Sequence, residues 1–424
     1  MRTLFLIVCL ALAACGEESA VDQKPVEQSE AAIAGIKTGP WRVVLDHPGG
    51  GLPFTLEIAE GPTAYFLNGP ERMKAEQVTI TDGALDIRFP SYESSLVATL
   101  QDDGTLKGTA TLTRRLGELK KIDFDLTATH GQTWRHFAEQ DPQPASVAGT
   151  WAVELSNPFG GPARPGLGIF EQDGAIVTGT FLFPQGDYRW LQGEVKDGEL
   201  YLSTYDGGQG TVWRGTLKED GTLDGTFYAK SYGFPPVPWS ARPDPDAKLP
   251  DANSMTSLKE GVERFDFTFP DTNGEMVSLS DSKFAGKVVL ITIGGTWCPT
   301  CHDEAAFLAP YYAENKNRGL EVIGLQFEYT DDMERSMRQT KAFKQRYKID
   351  YDMLIAGVFG KKGVAEALPF LDGLEAYPTT LFLDRTGAVR KIHTSFPGAA
   401  TGKRHELYLA EFKTFLNELL AEQG

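Results

Sequence analysis

The rhythm of apolar and polar positions changes three times along the chain. Leu4 to Ala14 is an almost unbroken apolar run behind the basic start Met1-Arg2-Thr3. It is too short to span a bilayer and has the shape of a secretory signal. The next stretch, rich in Glu, Gln, Ser and Ala, predicts a flexible tether. From Gly39 to Pro243 short alternating runs are broken by Asp-Gly, Gly-Gly and Asn-Gly turns, the pattern of an antiparallel meander. From Phe265 onward apolar runs alternate with helical stretches, which predicts an α/β domain with a mixed sheet flanked by helices.

The meander repeats itself. Gly39-Pro40-Trp41-Arg42-Val43-Val44-Leu45 matches Gly149-Thr150-Trp151-Ala152-Val153-Glu154-Leu155. Asp82-Gly83-Ala84-Leu85 matches Asp197-Gly198-Glu199-Leu200, and Asp103-Gly104-Thr105-Leu106 matches Asp220-Gly221-Thr222-Leu223. Three matches in one order predict two tandem all-β repeats. Each holds about eight candidate strands, enough for an up-and-down barrel; a sandwich remains the alternative. The opening Gly-x-Trp resembles the first strand of lipocalin-type barrels. Trp190, Trp213 and Trp239 are candidates to line a pocket, although aromatics in a small barrel more often fill it. The expected division is 1–15 signal, 16–38 tether, 39–138 first repeat, 147–243 second repeat, 244–260 linker (Pro245 and Pro250 among Asp, Ala and Ser), and 261–424 redox domain.

Within the last domain, Asp266–Phe269 and Met276–Leu279 flank the turn Asp271-Thr272-Asn273-Gly274, a hairpin. Strands are expected at Val288–Ile293, Leu320–Phe327, Thr379–Leu383 and Val389–Ile392, and helices over Met333–Tyr347 and Glu406–Ala421. After the first of these strands come Gly294-Gly295-Thr296 and then Trp297-Cys298-Pro299-Thr300-Cys301, opening a further helix. A cysteine at a helix N-terminus meets unpaired N–H groups and the positive end of the dipole, which favours its thiolate. Pro299 suits the first turn, and Cys301 lies within disulfide reach of Cys298.

Composition narrows the chemistry. There are four cysteines, and Cys9 lies in the signal. No second Cys pair exists, and His302, His393 and His405 lack ligand spacing, so zinc is disfavoured and no metal or other cofactor is expected. A two-residue gap closes too small a loop for a structural disulfide to stabilise much. A redox-active Cys298–Cys301 pair is the reading that remains. Lys and Arg total 41 against 58 Asp and Glu, a net charge of −17, which disfavours nucleic acid and anionic lipid heads as partners.

The strand, the Trp-Cys-x-x-Cys helix and the later Tyr377-Pro378-Thr379-Thr380 resemble the thioredoxin superfamily. The signal, the hairpin and the mid-domain insertion are similar to its TlpA/ResA group of periplasmic thiol-disulfide oxidoreductases. That resemblance covers residues 261–424. It implies that Cys298 is the attacking, more exposed cysteine and Cys301 the buried, resolving one. Pro378 would be a cis-proline abutting the disulfide, Tyr377 would pair its backbone with a substrate chain, and Trp297 would shield the sulfurs. The buried strand Asp of thioredoxin falls at Thr292, whereas Glu304 matches an acid of the ResA-type proteins and is the candidate proton acceptor for Cys301. His302 is expected to be solvated. Leu12-Ala13-Ala14-Cys15 resembles the bacterial lipobox, which implies lipid attachment at Cys15, membrane association by that anchor alone, and, with Gly16 next, the outer membrane facing the periplasm.

The resulting expectation is an oxidoreductase reducing protein disulfides, with a dithiol protein as electron donor and no cofactor. Two alternatives stand beside it. A peroxiredoxin-like thiol peroxidase would need Pro and Thr where Ile291 and Gly295 stand. A binding lipoprotein would use the β repeats to capture a ligand or partner.

Overall fold

The computed structural model describes residues 32–158, 160–229 and 235–423; the signal, Cys15 and most of the tether lie outside them. The last part of the expected tether is folded. Ala32–Ile33 pairs with Ile36–Lys37, and Ile36 is fully buried in the first β core.

Both repeats are antiparallel, as their alternation requires. In Gly39–Leu45 and Gly149–Leu155 every second residue is buried, and Trp41 and Trp151 face inward. Each of these indoles donates to a carbonyl four residues earlier, Lys37 at 3.0 Å and Val147 at 2.9 Å. The Asx turns are also duplicated, with Thr105 N–H on Asp103 and Thr222 N–H on Asp220, each at 3.0 Å. The duplication read from sequence is thus a duplication of anchors.

The two copies close differently. The second is an eight-stranded up-and-down barrel in which Arg164–Asp173 pairs with both Gly149–Leu155 and Ile176–Phe183. Its interior is filled by aromatics: Phe181 stacks on Trp213 at 3.8 Å, beside Phe227 and Trp239. Trp213 and Trp239 are therefore packing residues. The first copy is a nine-stranded half-barrel, open between Glu71–Lys74 and Gln77–Thr81. The other barrel covers its apolar face: Tyr205 and Val212 enter the first copy's core, with Tyr205 stacked on Phe54 at 4.5 Å. Burial on a neighbour does for this sheet what closure does for the other.

A polar clamp fixes that junction. Arg135 is fully buried and donates to Pro53 O, Leu67 O and Asn68 Oδ1, while Glu194 accepts from the Arg135 and His136 N–H groups. Loss of the Arg135 guanidinium would leave these Pro53, Leu67 and Asn68 oxygens without that donor.

The C-terminal domain is thioredoxin-like. Its five-stranded sheet runs Asp352–Val358, Leu320–Glu328, Val288–Gly294, Thr379–Leu383, Val389–Thr394, with the first three parallel and the last two antiparallel. All seven residues of Val288–Gly294 are buried, as a central strand covered on both faces requires. Helices Pro299–Asn315, Met333–Tyr347 and Lys403–Ala421 pack with it, and the inserted stretch carries a short helix, Lys361–Ala367. The expected hairpin pairs Thr268–Pro270 with Met276–Ser278.

The proline-bearing stretch 244–260 is docked rather than free. Ala252 O accepts from Thr394 N–H, and Ser257–Leu258 pairs with Leu371–Asp372. Its backbone groups have found partners on the redox domain, which its composition does not reveal.

Candidate active site

The site is built at the end of the central strand. Thr296, in the turn that follows, is held by Glu328 at the end of the neighbouring strand, which accepts from its N–H and hydroxyl, each at 2.9 Å. Glu328 is fully buried, and that burial raises its carboxyl. Gly295 is required here: a Cβ would lie 2.3 Å from Trp297 Nε1 and 2.7 Å from Phe327 O. With no Cβ in the way, the Trp297 indole folds back and donates to Phe327 O at 2.8 Å. Trp297 then packs among Tyr329, Phe359 and Tyr377, with ring centroids 4.6 to 5.4 Å apart, and forms an aromatic wall beside the motif.

Cys298 is the N-cap of the helix Pro299–Asn315, with Pro299 in the first turn, and its sulfur accepts from Cys301 N–H at 3.2 Å. Cys298 and Cys301 form a disulfide, their Cα atoms 5.2 Å apart. The Tyr377–Pro378 bond is cis and faces it. Tyr377 O lies 3.6 Å from Cys298 Sγ and accepts from Thr300 Oγ1 at 3.1 Å, so the carbonyl expected to meet a substrate chain is occupied by a motif hydroxyl.

Glu304 is buried one turn further on, and its carboxylate accepts from Thr380 Oγ1 at 2.6 Å. Thr380 is the register partner of Thr292, so the helix brings its acid to the strand position where thioredoxin carries one. Burial raises the Glu304 carboxyl to about 7 against the pull of the Thr380 hydrogen bond, which places it in range to exchange a proton near neutrality.

Two expectations are corrected. Cys298 was expected to be the more exposed cysteine, but both residues are buried, Cys298 3% exposed and Cys301 5%. His302 was to be solvated, but it is fully buried between Tyr92 and Phe343 and contacts Thr296 O and Tyr347 OH, each at 2.7 Å. Desolvation holds its imidazole well below the ordinary value. The β repeats contribute to both, because they lie over the redox motif. Gly186 of the barrel approaches Thr300 so closely that a Cβ there would sit 2.9 Å from its methyl. Gln209 Nε2 donates to Trp297 O at 3.2 Å. Asp187 accepts from Gly398 N–H at 2.6 Å, and Arg189 bridges Asp303, at 2.8 Å, and Glu71. The sequence gives no local sign of Gly186, Arg189 or Gln209, because turn residues of one domain serve here as walls for another. Glu328 carried one usable signal, a charged residue closing an apolar run.

A cavity of about 490 Å³ remains over the disulfide, bounded by Trp297 to Thr300, Tyr377 and both β copies. A buried dithiol-disulfide pair at a helix N-terminus, a nearby acid and a cavity reaching the first sulfur can together carry out thiol-disulfide exchange.

The profile of the AhpC/TSA family matches residues 261–392. The chain is 32% identical to the thioredoxin-like protein YneN of Bacillus subtilis over 149 residues, 35% of this chain and 78% of that protein. It is 28% identical to the thiol-disulfide oxidoreductase ResA of Bacillus subtilis over 138 residues, 32% of this chain and 69% of that protein. A solved thiol-disulfide oxidoreductase from Bacteroides fragilis is 22% identical with a TM-score of 0.25, covering 34% of this chain and 99% of that one.

Proposed function

The chain belongs to the AhpC/TSA family of thioredoxin-like proteins and is a thiol-disulfide oxidoreductase, and we propose that it reduces disulfides in the cell envelope through Cys298 and Cys301. One observation carries this reading: the Cys298–Cys301 disulfide caps a helix, faces a cis-proline and opens into a cavity. In the reduced protein the helix N-terminus stabilises the Cys298 thiolate, which attacks a substrate disulfide and expels one sulfur. Cys301 loses its proton to Glu304 and attacks the Cys298 sulfur. The second substrate thiol leaves and the Cys298–Cys301 bond forms. An external dithiol then returns two electrons.

Protein disulfides as substrates and a dithiol protein as donor are what the group implies. Envelope localisation rests on the apolar start and the Leu12-Ala13-Ala14-Cys15 stretch. The peroxidase alternative has against it Ile291 within the buried strand and Gly295 in the turn, where that chemistry needs Pro and Thr. With a dithiol donor supplied, the full chain should reduce insulin disulfides and Cys298→Ser should fall to background. Equal rates in the two proteins would overturn the reading.

A further inference from the structure

Arginines without carboxylate partners stand in the cavity over the disulfide. Arg114 and Arg115 from the first copy and Arg164 from the barrel line it. None of the three is within ion-pairing distance of a carboxylate among the described residues. Arg114 is 4% exposed and donates to Thr113 O and Gly208 O, and its Nε is buried without a partner. Arg115 donates to Phe359 O at 3.0 Å, and Arg164 lies over Phe183 at 5.8 Å. The cavity's other arginine, Arg189, is matched by Glu71 and Asp303. Its carboxylates are engaged as well: Asp187 accepts from the Gly398 and Arg189 N–H groups, and Asp206 from Gly208 and Gln209 N–H and Tyr92 OH. A desolvated guanidinium without a counter-charge, as at Arg114, is costly, and with the half-buried Arg115 and Arg164 beside it the cavity favours an anion that completes the set. In a chain of net charge −17, three clustered arginines free of carboxylate partners also offer an anion an attraction that most of the surface does not.

We propose that the disulfide reduced in this cavity bears carboxylates beside its sulfurs, which Arg114, Arg115 and Arg164 bind while one sulfur meets Cys298. This rests on the oxidoreductase reading above and specifies its substrate. In the step, Cys298 thiolate bonds to one substrate sulfur as the substrate S–S bond breaks and a carboxylate-bearing thiolate leaves. Cys301 thiolate then displaces the second. The substrate gains two electrons and two protons, and the protein's dithiol becomes its disulfide.

The test uses the full chain, reduced with dithiothreitol and desalted, and follows loss of the Cys298 and Cys301 thiols. The probes are oxidised glutathione, cystamine and bis(2-hydroxyethyl) disulfide, each rate divided by that of dithiothreitol with the same probe. A second pair, cystine peptides flanked by Glu or by Lys, separates a free small disulfide from a protein segment as the source of the carboxylates. The expected result is a normalised preference for the acidic member of at least one pair of about 10-fold or more at low salt, shrinking as salt screens it. It should also shrink several-fold in Arg115→Gln/Arg164→Gln. Equal or cation-favouring rates in both pairs, or a preference indifferent to salt and to both substitutions, would overturn the proposal. If the reduced chain reacts with none of the probes and not with insulin, the oxidoreductase reading itself has failed.

Discussion

Glu304 shows how far a single residue can be read. Its spacing from Cys301 and the absence of an acid at Thr292 are visible in the sequence; its burial against Thr380 is not, because that depends on a strand far along the chain. The burial has a thermodynamic signature. The folded carboxyl lies at about 7 against an ordinary 4.5, so the native state binds this proton more tightly than the unfolded chain does. Stability from this group is therefore intact below pH 4.5 and is lost as pH rises through about 7, by at most ~3 kcal/mol. Glu304→Gln should match the parent in denaturant unfolding near pH 4 and exceed it by ~1–3 kcal/mol above pH 8. Turnover should slow, and its pH profile should lose the apparent ionisation near neutrality that belongs to the coupled set. His302 was misread for the same physical reason as Glu304's burial was missed. Its ring partner Tyr92 comes from the first β copy, and no local pattern predicts a partner from another domain.

At the scale of elements the periodicities served well, because each strand and helix buries one face. The duplication followed from Gly-x-Trp and the Asp-Gly turns. Closure did not follow, since one copy closes on itself and the other is completed by a neighbour. The helix Met333–Tyr347 illustrates what amphipathic pattern alone leaves out. Its Arg335 and Arg346 look like surface charges but pair with Glu93 and Glu76 of the first β copy. The Arg346–Glu76 bridge, at 2.7 Å, has side chains only 10% and 9% exposed. Glu76→Ala should cost ~3–5 kcal/mol in chemical unfolding, because it strands a desolvated guanidinium. On the same helix, Glu334 meets Arg338 at 4.0 Å with both side chains largely exposed. Glu334→Ala should change stability by less than about 0.5 kcal/mol. Similar losses in the two variants would mean that the interdomain bridge is as wet as the surface one.

The whole molecule is a redox domain whose reactive sulfur is covered by two β modules. That arrangement was beyond the sequence, which marks the dithiol and the repeats but not which surfaces meet. It makes a prediction about access. In the reduced full chain, Cys298 should react with a bulky maleimide more slowly than with iodoacetamide by ~10-fold or more, each normalised to a free thiol, as an opening cost of about 1.4 kcal/mol would give. Comparable rates would mean that the cover is not closed in solution. The central claim, that Cys298 attacks and Cys301 resolves inside this covered site, is tested most directly by arresting the exchange between those steps. Reduced Cys301→Ser, given a disulfide substrate, should accumulate a mixed disulfide that mass spectrometry maps to Cys298, while Cys298→Ser should accumulate none. An adduct that forms at Cys301 in Cys298→Ser, or no adduct in either variant while the unsubstituted chain turns over, would contradict it.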